Sequence, residues 1–159
     1  MISHKKTEIY LLLHNIRSTH NVGSIFRTAD AVGVKHVYIS GYTPAPIDRF
    51  GRSRSDITKV SLGAENSVKW SIIENVINKI KELKIDKFNI IALEQNDKSI
   101  DYKKSKLKGN ILLIVGNEVD GIEKNILSLC DQIIEIPMYG SKESLNVSVA
   151  TGIALYSFR

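Results

Sequence analysis

A chain of 159 residues, 43% hydrophobic and 25% charged, has the makeup of one globular domain with a real core and calls for no second domain. Its formal net charge of +5 favours an anionic partner over a cationic one. A single cysteine, Cys130, excludes an internal disulfide, and no apolar run reaches the length of a signal-peptide core or a membrane span, so a soluble cytoplasmic protein is expected.

The first predicted strand is IYLLL, residues 9–13, followed by the polar, turn-rich HNIRSTHN. In VGSIFRTADAVGV, residues 22–34, apolar side chains recur at helical spacing and Gly33 stands where it would end a helix. HVYIS, 36–40, is the next strand. A strand, helix, strand order of this length implies a parallel pair with a right-handed crossover.

Residues 41–67 show no sustained period and carry Pro44, Pro46, Gly51 and Gly63, so they read as one long loop. Long loops inside compact domains are usually functional or disordered. Arg49, Arg52 and Arg54, with Tyr42 and Phe50 among them, give this one the composition of a nucleic-acid contact surface; a solvated flap is the alternative.

SIIENVINKIKELK, 71–84, repeats Ile73, Val76, Ile77, Ile80 and Leu83 and reads as an amphipathic helix. FNIIALEQ, 88–95, is a strand, and the lysine-rich 97–108 is a loop with a weak helical turn. ILLIV, 111–115, is a buried strand that stops at Gly116. After it, Asp120 and Glu123 resemble a capping box opening a helix to about Leu129. IIEIP, 133–137, is the last strand and LNVSVATGIALYSF a C-terminal helix. The alternation gives an α/β class, a mainly parallel sheet with helices on both faces.

Several chemistries are missing from this pattern. His4, His14, His20 and His36 have no carboxylate or cysteine at metal-ligand spacing, so no metal is expected. GxGxxG, GxSxG and CxxC do not occur. The loop GNEVDGI, 116–122, has the glycines of a phosphate-binding loop, but Ile122 and Glu123 replace the Lys and Ser/Thr that a triphosphate needs. An acidic loop at the carboxyl end of a buried strand suits a phosphate-free or positively charged ligand.

HNVGSIFRTADAVGV, LLIVGNEVDGI and IEIPMYGSKESLNVSVATGIALY together resemble, in order and separation, the three motifs of the SpoU/TrmH branch of the SPOUT RNA methyltransferases. The resemblance runs from residue 9 to the end. It implies a deep trefoil α/β knot in the C-terminal half and a homodimer. It also implies an enzyme that uses S-adenosylmethionine to methylate a ribose 2′-hydroxyl of tRNA or rRNA. Gly116, Ile136 and Leu145 match cofactor-holding positions, and Leu93 at its strand end would join them.

Arg27 matches the family's catalytic arginine and Asn21 its paired asparagine; Asn15 lies near but lacks that spacing. Glu118, Ser144 and Asn146 complete the polar set. The bland alternatives are that Arg27 pairs with Asp30, Asn21 caps its helix, Ser144 caps the C-terminal one, and Glu118 is a solvent-facing or capping carboxylate. Family members often carry an extra RNA-binding domain before the catalytic one. Here the first strand starts near residue 9, so a single domain is expected, with RNA recognition on the dimer surface and the arginine-bearing loop. Competing readings are a SPOUT enzyme acting on a base nitrogen, a catalytically idle RNA-binding module, and a flavodoxin-like nucleotide binder that leaves the three motifs unexplained.

Overall fold

The computed structural model describes residues 6–159, so His4 lies outside the described residues. Seven strands, β1 (Ile9–His14), β2 (His36–Ser40), β3 (Trp70–Ile72), β4 (Asn89–Leu93), β5 (Ile100–Asp101), β6 (Ile111–Val115) and β7 (Gln132–Glu135), form one sheet in the order β3-β2-β1-β6-β4-β7-β5. Every pairing is parallel. The central strand β6 is ILLIV with all five residues buried, because it has β1 on one edge, β4 on the other and helices over both faces. Unbroken apolar runs are what such strands require. Its register runs from Ile9↔Ile111 to Leu13↔Val115.

Six helices cover the sheet: α1 (Thr19–Val32), α2 (Ser55–Ser61), α3 (Ala64–Ser67), α4 (Val76–Ile85), α5 (Lys124–Leu127) and α6 (Val147–Tyr156). On one face Leu11 and Leu13 pack with Ile25 and Phe26 of α1 and Ala154 and Leu155 of α6. On the other, Leu12 and Leu112 pack with Val76, Ile80 and Leu83 of α4 and Ile126 of α5. Truncating a side chain as large and fully buried as Phe26 would cost about 3–5 kcal/mol. The α/β class and the two-sided helical cover expected from the sequence are therefore found.

Some local expectations are corrected. Residues 55–67 are not loop: they form α2 and α3, whose seven and four residues are too short to display a helical period. Ile57 is fully buried, and α2 comes so close to α1 that a Cβ on Gly23 would stand 2.7 Å from the Ile57 carbonyl oxygen. Ser71 and Ile72 belong to β3, and α4 starts only at Val76, where the Asn75 side chain accepts from the Asn78 N–H at 2.9 Å. Asp120 and Gly121 lie in a turn, not in a capping box, and α5 spans four residues. The cap of α1 is Ser18, with Asn21 inside the helix, and the cap of α6 is Asn146, not Ser144. Gly33 does end α1, at φ 80°, a conformation that glycine adopts without strain.

Candidate active site

The carboxyl ends of β4, β6 and β7 open into a cavity of about 240 Å³. Leu93, Gly116, Ile136 and Leu145, far apart in sequence, all line it, as do Glu118 and Ser144. A larger hollow of about 570 Å³, around Tyr10 and His36, contains none of the candidate residues. Glu94, Glu118 and Glu135 put three carboxylates into the lining and no lysine or arginine enters it. The cavity thus has the opposite charge to the chain as a whole, +5.

The loop after β6 owes its shape to two glycines and an asparagine. A Cβ on Gly116 would stand 2.5 Å from Ile122 Cγ1 and 3.0 Å from the Gly121 carbonyl oxygen, so any larger residue would crowd the chain where it folds back over itself. Asn117 Oδ1 accepts from the Val119 and Asp120 N–H groups at 2.8 and 2.7 Å, and its Nδ2 donates to the Asn15 carbonyl at 3.2 Å. Gly121 takes φ 71°, and the Ile122 N–H donates to Glu94 Oε2 at 2.8 Å. Sequence reasoning missed Asn117 and Glu94. Asn117 had a signal, an Asx-turn side chain ahead of an Asp-Gly pair; Glu94 had none.

One polar chain joins all three motifs. Asn21, 9% exposed, donates through Nδ2 to Glu118 Oε1 at 3.3 Å and accepts at Oδ1 from Asn146 Nδ2 at 3.1 Å. The other Glu118 oxygen accepts from the Arg17 main-chain N–H at 3.5 Å. Asn146 also caps α6, accepting from the Ser148 N–H at 2.9 Å. Glu118 is thus exposed to solvent, as one alternative had it, and tethered by two long hydrogen bonds, and Ser144 lines the cavity without acting as a cap.

Arg27 is not brought to this cavity within the chain. It is exposed, outside the cavity lining, and about 120° around α1 from Asn21 at six residues' separation. The alternative pairing with Asp30 is not formed; Asp30 accepts from the Ser67 hydroxyl at 2.8 Å.

The three candidate RNA-contact arginines stand in different surroundings. Arg49 and Arg52 lie over the exposed Phe50 ring, 4.7 and 4.9 Å from its centroid. Arg52 is also paired through Nε with Asp48 at 3.1 Å. Asp48 accepts from the Arg52 and Phe50 N–H groups at 3.0 and 2.8 Å, and these bonds, Arg52's first, hold its carboxyl below its ordinary range. Arg54 begins α2, and its Nε is buried without a hydrogen-bond partner.

Cys130 is half-buried, and burial pushes its thiol up to about 12, which suppresses the nucleophilic thiolate. Among the described residues no group of three or more His, Cys, Asp or Glu could hold a metal ion, and no helix is long and apolar enough to cross a membrane.

Comparison with known proteins matches residues 8–156 to the SpoU rRNA Methylase family. A tRNA (guanosine(18)-2′-O)-methyltransferase of Aquifex aeolicus is 34% identical over 98% of this chain and 71% of its own length. A 23S rRNA (guanosine-2′-O-)-methyltransferase of Haemophilus ducreyi is 36% identical over 98% of this chain and 61% of its own. Among solved structures, an AdoMet-bound rRNA methyltransferase from Sinorhizobium meliloti superposes with a TM-score of 0.87 at 26% identity, covering 98% of this chain and 57% of that one. The A. aeolicus TrmH/SpoU tRNA modifying enzyme does so with a TM-score of 0.82 at 32% identity, over 96% and 74%. The chain therefore spans between 57% and 74% of these relatives.

Proposed function

The chain belongs to the SpoU rRNA methylase family, and from that premise we propose that it transfers a methyl group from S-adenosylmethionine to a ribose 2′-hydroxyl of tRNA or rRNA. The observation that carries this reading is the meeting, in one acidic cavity, of Leu93, Gly116, Ile136 and Leu145 with Glu118 and Ser144. The cavity suits the donor chemically. Its carboxylates favour a cationic ligand, and it lacks the basic side chains that a phosphate-bearing nucleotide would need.

S-adenosylmethionine supplies a methyl group activated by a positively charged sulfur, so the transfer needs no metal. Gly116 allows the main chain to approach the ligand, and Leu93, Ile136 and Leu145 provide apolar walls. Glu118, bonded to Asn21 and the Arg17 N–H, places its carboxyl at the rim. The hydroxyl would release its proton to solvent water as its oxygen takes the methyl group, the S–C electron pair returning to sulfur to leave a neutral thioether. Negative charge would develop on the oxygen as far as proton loss runs ahead of C–O bond formation. Stabilising that charge is the task of a fixed cation. Arg27 does not lose its proton; it grips the RNA phosphate and stabilises the developing oxyanion. Because Arg27 lies away from its own chain's cavity, it serves the cavity of a second copy, in a homodimer.

The same reading gives the C-terminal half a deep trefoil knot, with the segment after β7 threaded past the β4 and β6 loops before α6. The Gln95 side chain donating to the Glu143 carbonyl at 3.0 Å supports such a passage. RNA recognition falls to surfaces of this domain, including Arg49, Arg52 and Arg54.

The test is methyl transfer from labelled S-adenosylmethionine to total RNA of the source cell lacking this gene, followed by nucleoside analysis. Label in a 2′-O-methyl nucleoside with wild type, lost with Arg27→Ala, is the expected result. Label in a base would move the chemistry to a ring nitrogen. No label despite cofactor binding would make the domain a binding module. A mixed dimer of Arg27→Ala and Gly116→Trp subunits should keep one working cavity if Arg27 acts across the interface.

A further inference from the structure

One buried titratable side chain takes no part in the reaction just described. His14, 7% exposed, ends β1, and its Nδ1 lies 2.7 Å from the hydroxyl of Ser40 at the end of β2. Its Nε2 lies 2.8 and 3.0 Å from the two carboxylate oxygens of Glu123. A carboxylate can only accept, so Nε2 carries a hydrogen. The Ser40 hydroxyl serves either state of Nδ1, donating to a neutral ring or accepting from a charged one. Asn15 Nδ2, 3.3 Å from Nε2, is itself a donor, since Asn15 Oδ1 accepts from the Tyr42 N–H, and it does not compete for the Glu123 bond.

Glu123 lies outside the cavity lining, at the far end of the loop whose near end, Gly116 to Val119, forms the wall. Besides the Glu118 contacts already described, that loop is pinned at three further places: Asn117 to the Asn15 carbonyl, the Ile122 N–H to Glu94, and Glu123 to His14. Glu94 is itself in the lining. Asn117 is fastened to the chain just beyond His14, so two of the three pins converge on the carboxyl end of β1. The third motif contributes to none of them.

We propose that His14 is a positioning residue for the cofactor loop: by fixing Glu123 it holds residues 116–123 in the shape that receives S-adenosylmethionine. This rests on the functional reading above. A loop held in its bound shape before the ligand arrives does not spend binding free energy on ordering. Releasing the far end should therefore weaken cofactor binding without touching RNA affinity or the chemical step.

The experiment measures S-adenosylmethionine binding by calorimetry, amide hydrogen exchange across 116–123 in the free protein, and KM for each substrate. Wild type, His14→Ala, Glu123→Ala and Glu123→Gln are compared. Both alanine variants should raise the cofactor Kd and KM by about three- to fivefold, the loss expected of a partly exposed hydrogen-bonded pair. They should also speed exchange in the loop, with RNA KM and kcat at saturating cofactor within twofold of wild type. Glu123→Gln, which keeps an acceptor oxygen, should recover much of the affinity. Glu123 is half exposed, so its variants report even if His14→Ala fails to fold. Unchanged cofactor affinity and loop exchange in Glu123→Ala, or a fall in kcat with cofactor KM intact, overturns the proposal. Wild type that binds no S-adenosylmethionine would instead overturn the functional reading.

Discussion

Asn146 donates to Asn21 across 3.1 Å and 125 positions of sequence. The bond ties the cap of α6 to a buried residue in the first turn of α1, and Asn21 passes the restraint to Glu118 at the cavity rim. Asn146→Asp separates the cap from the network. It keeps an oxygen for the Ser148 N–H but turns an acceptor toward Asn21 Oδ1, and rotating the Asn21 amide to satisfy it would strip Glu118 of its donor. Methyl transfer should fall about tenfold or more, with the thermal midpoint within a few degrees of wild type. Asn146→Ala should also lose the cap, at about 1 kcal/mol. Full activity in Asn146→Asp would detach this network from the chemistry.

Gly116→Ala tests crowding rather than backbone conformation, since Gly116 is absent from the positive-φ residues. The Ile122 side chain could rotate away from a new methyl, but the Gly121 carbonyl at 3.0 Å is main chain and can move only with the loop. Overpacking of this kind typically costs about 1–3 kcal/mol. Calorimetry should show S-adenosylmethionine affinity reduced well beyond the modest change in melting. Wild-type affinity would mean that the ligand does not depend on this loop.

What could be read in advance follows from the range of the interactions. Strands β1 and β6 were legible as short unbroken runs of Leu, Ile and Val, a pattern that only burial on both faces tolerates, whereas β3 and β5, three and two residues long, were read as part of a helix and of a loop. Helix α1 was legible from its period and from Gly33. Helices α2 and α3 were not, because seven and four residues barely complete a turn or two, and their formation depends on the close approach that Gly23 allows. The motifs named the residues of the cavity, yet the roles inside it came from distant partners. Nothing near Glu94 announces the Ile122 N–H, and His14 meets Glu123 across 109 positions. For Arg27 the structure shows its position alone, exposed and away from its own cavity, a property of helix rotation that spacing alone did not disclose.

The arginine-bearing segment should show unequal contributions. Arg49 has no carboxylate partner among the described residues, whereas Arg52 already pairs with Asp48. Arg49→Ala should therefore weaken RNA binding more than Arg52→Ala. Each lost phosphate contact should lower the slope of log affinity against log salt by about 0.7–0.9. Reversing charge at Arg52 and Arg54 should weaken RNA binding further while leaving S-adenosylmethionine affinity unchanged. RNA titrations at several salt concentrations decide it; an unaltered slope in every variant removes this segment from the interface.

Glu123 gives the His14 contact a pH signature. Burial alone would raise its carboxyl, but the hydrogen bond from His14, its own main-chain N–H and the charge of His14 outweigh that and leave it below its ordinary range. A carboxyl depressed in the folded state contributes stability that is present above its unfolded value and is lost as pH falls through the folded one. The gap in thermal midpoint between wild type and Glu123→Gln should therefore be widest near neutrality and close on acidification below the usual carboxylate range, near pH 4. The gap should be small, because the side chain is half exposed and solvent screens the pair. Cofactor affinity should converge over the same window, since the same bond holds the loop. A gap that stays constant as pH is taken from neutrality to well below the usual carboxylate range would show that Glu123 does not draw its stabilisation from its own charge.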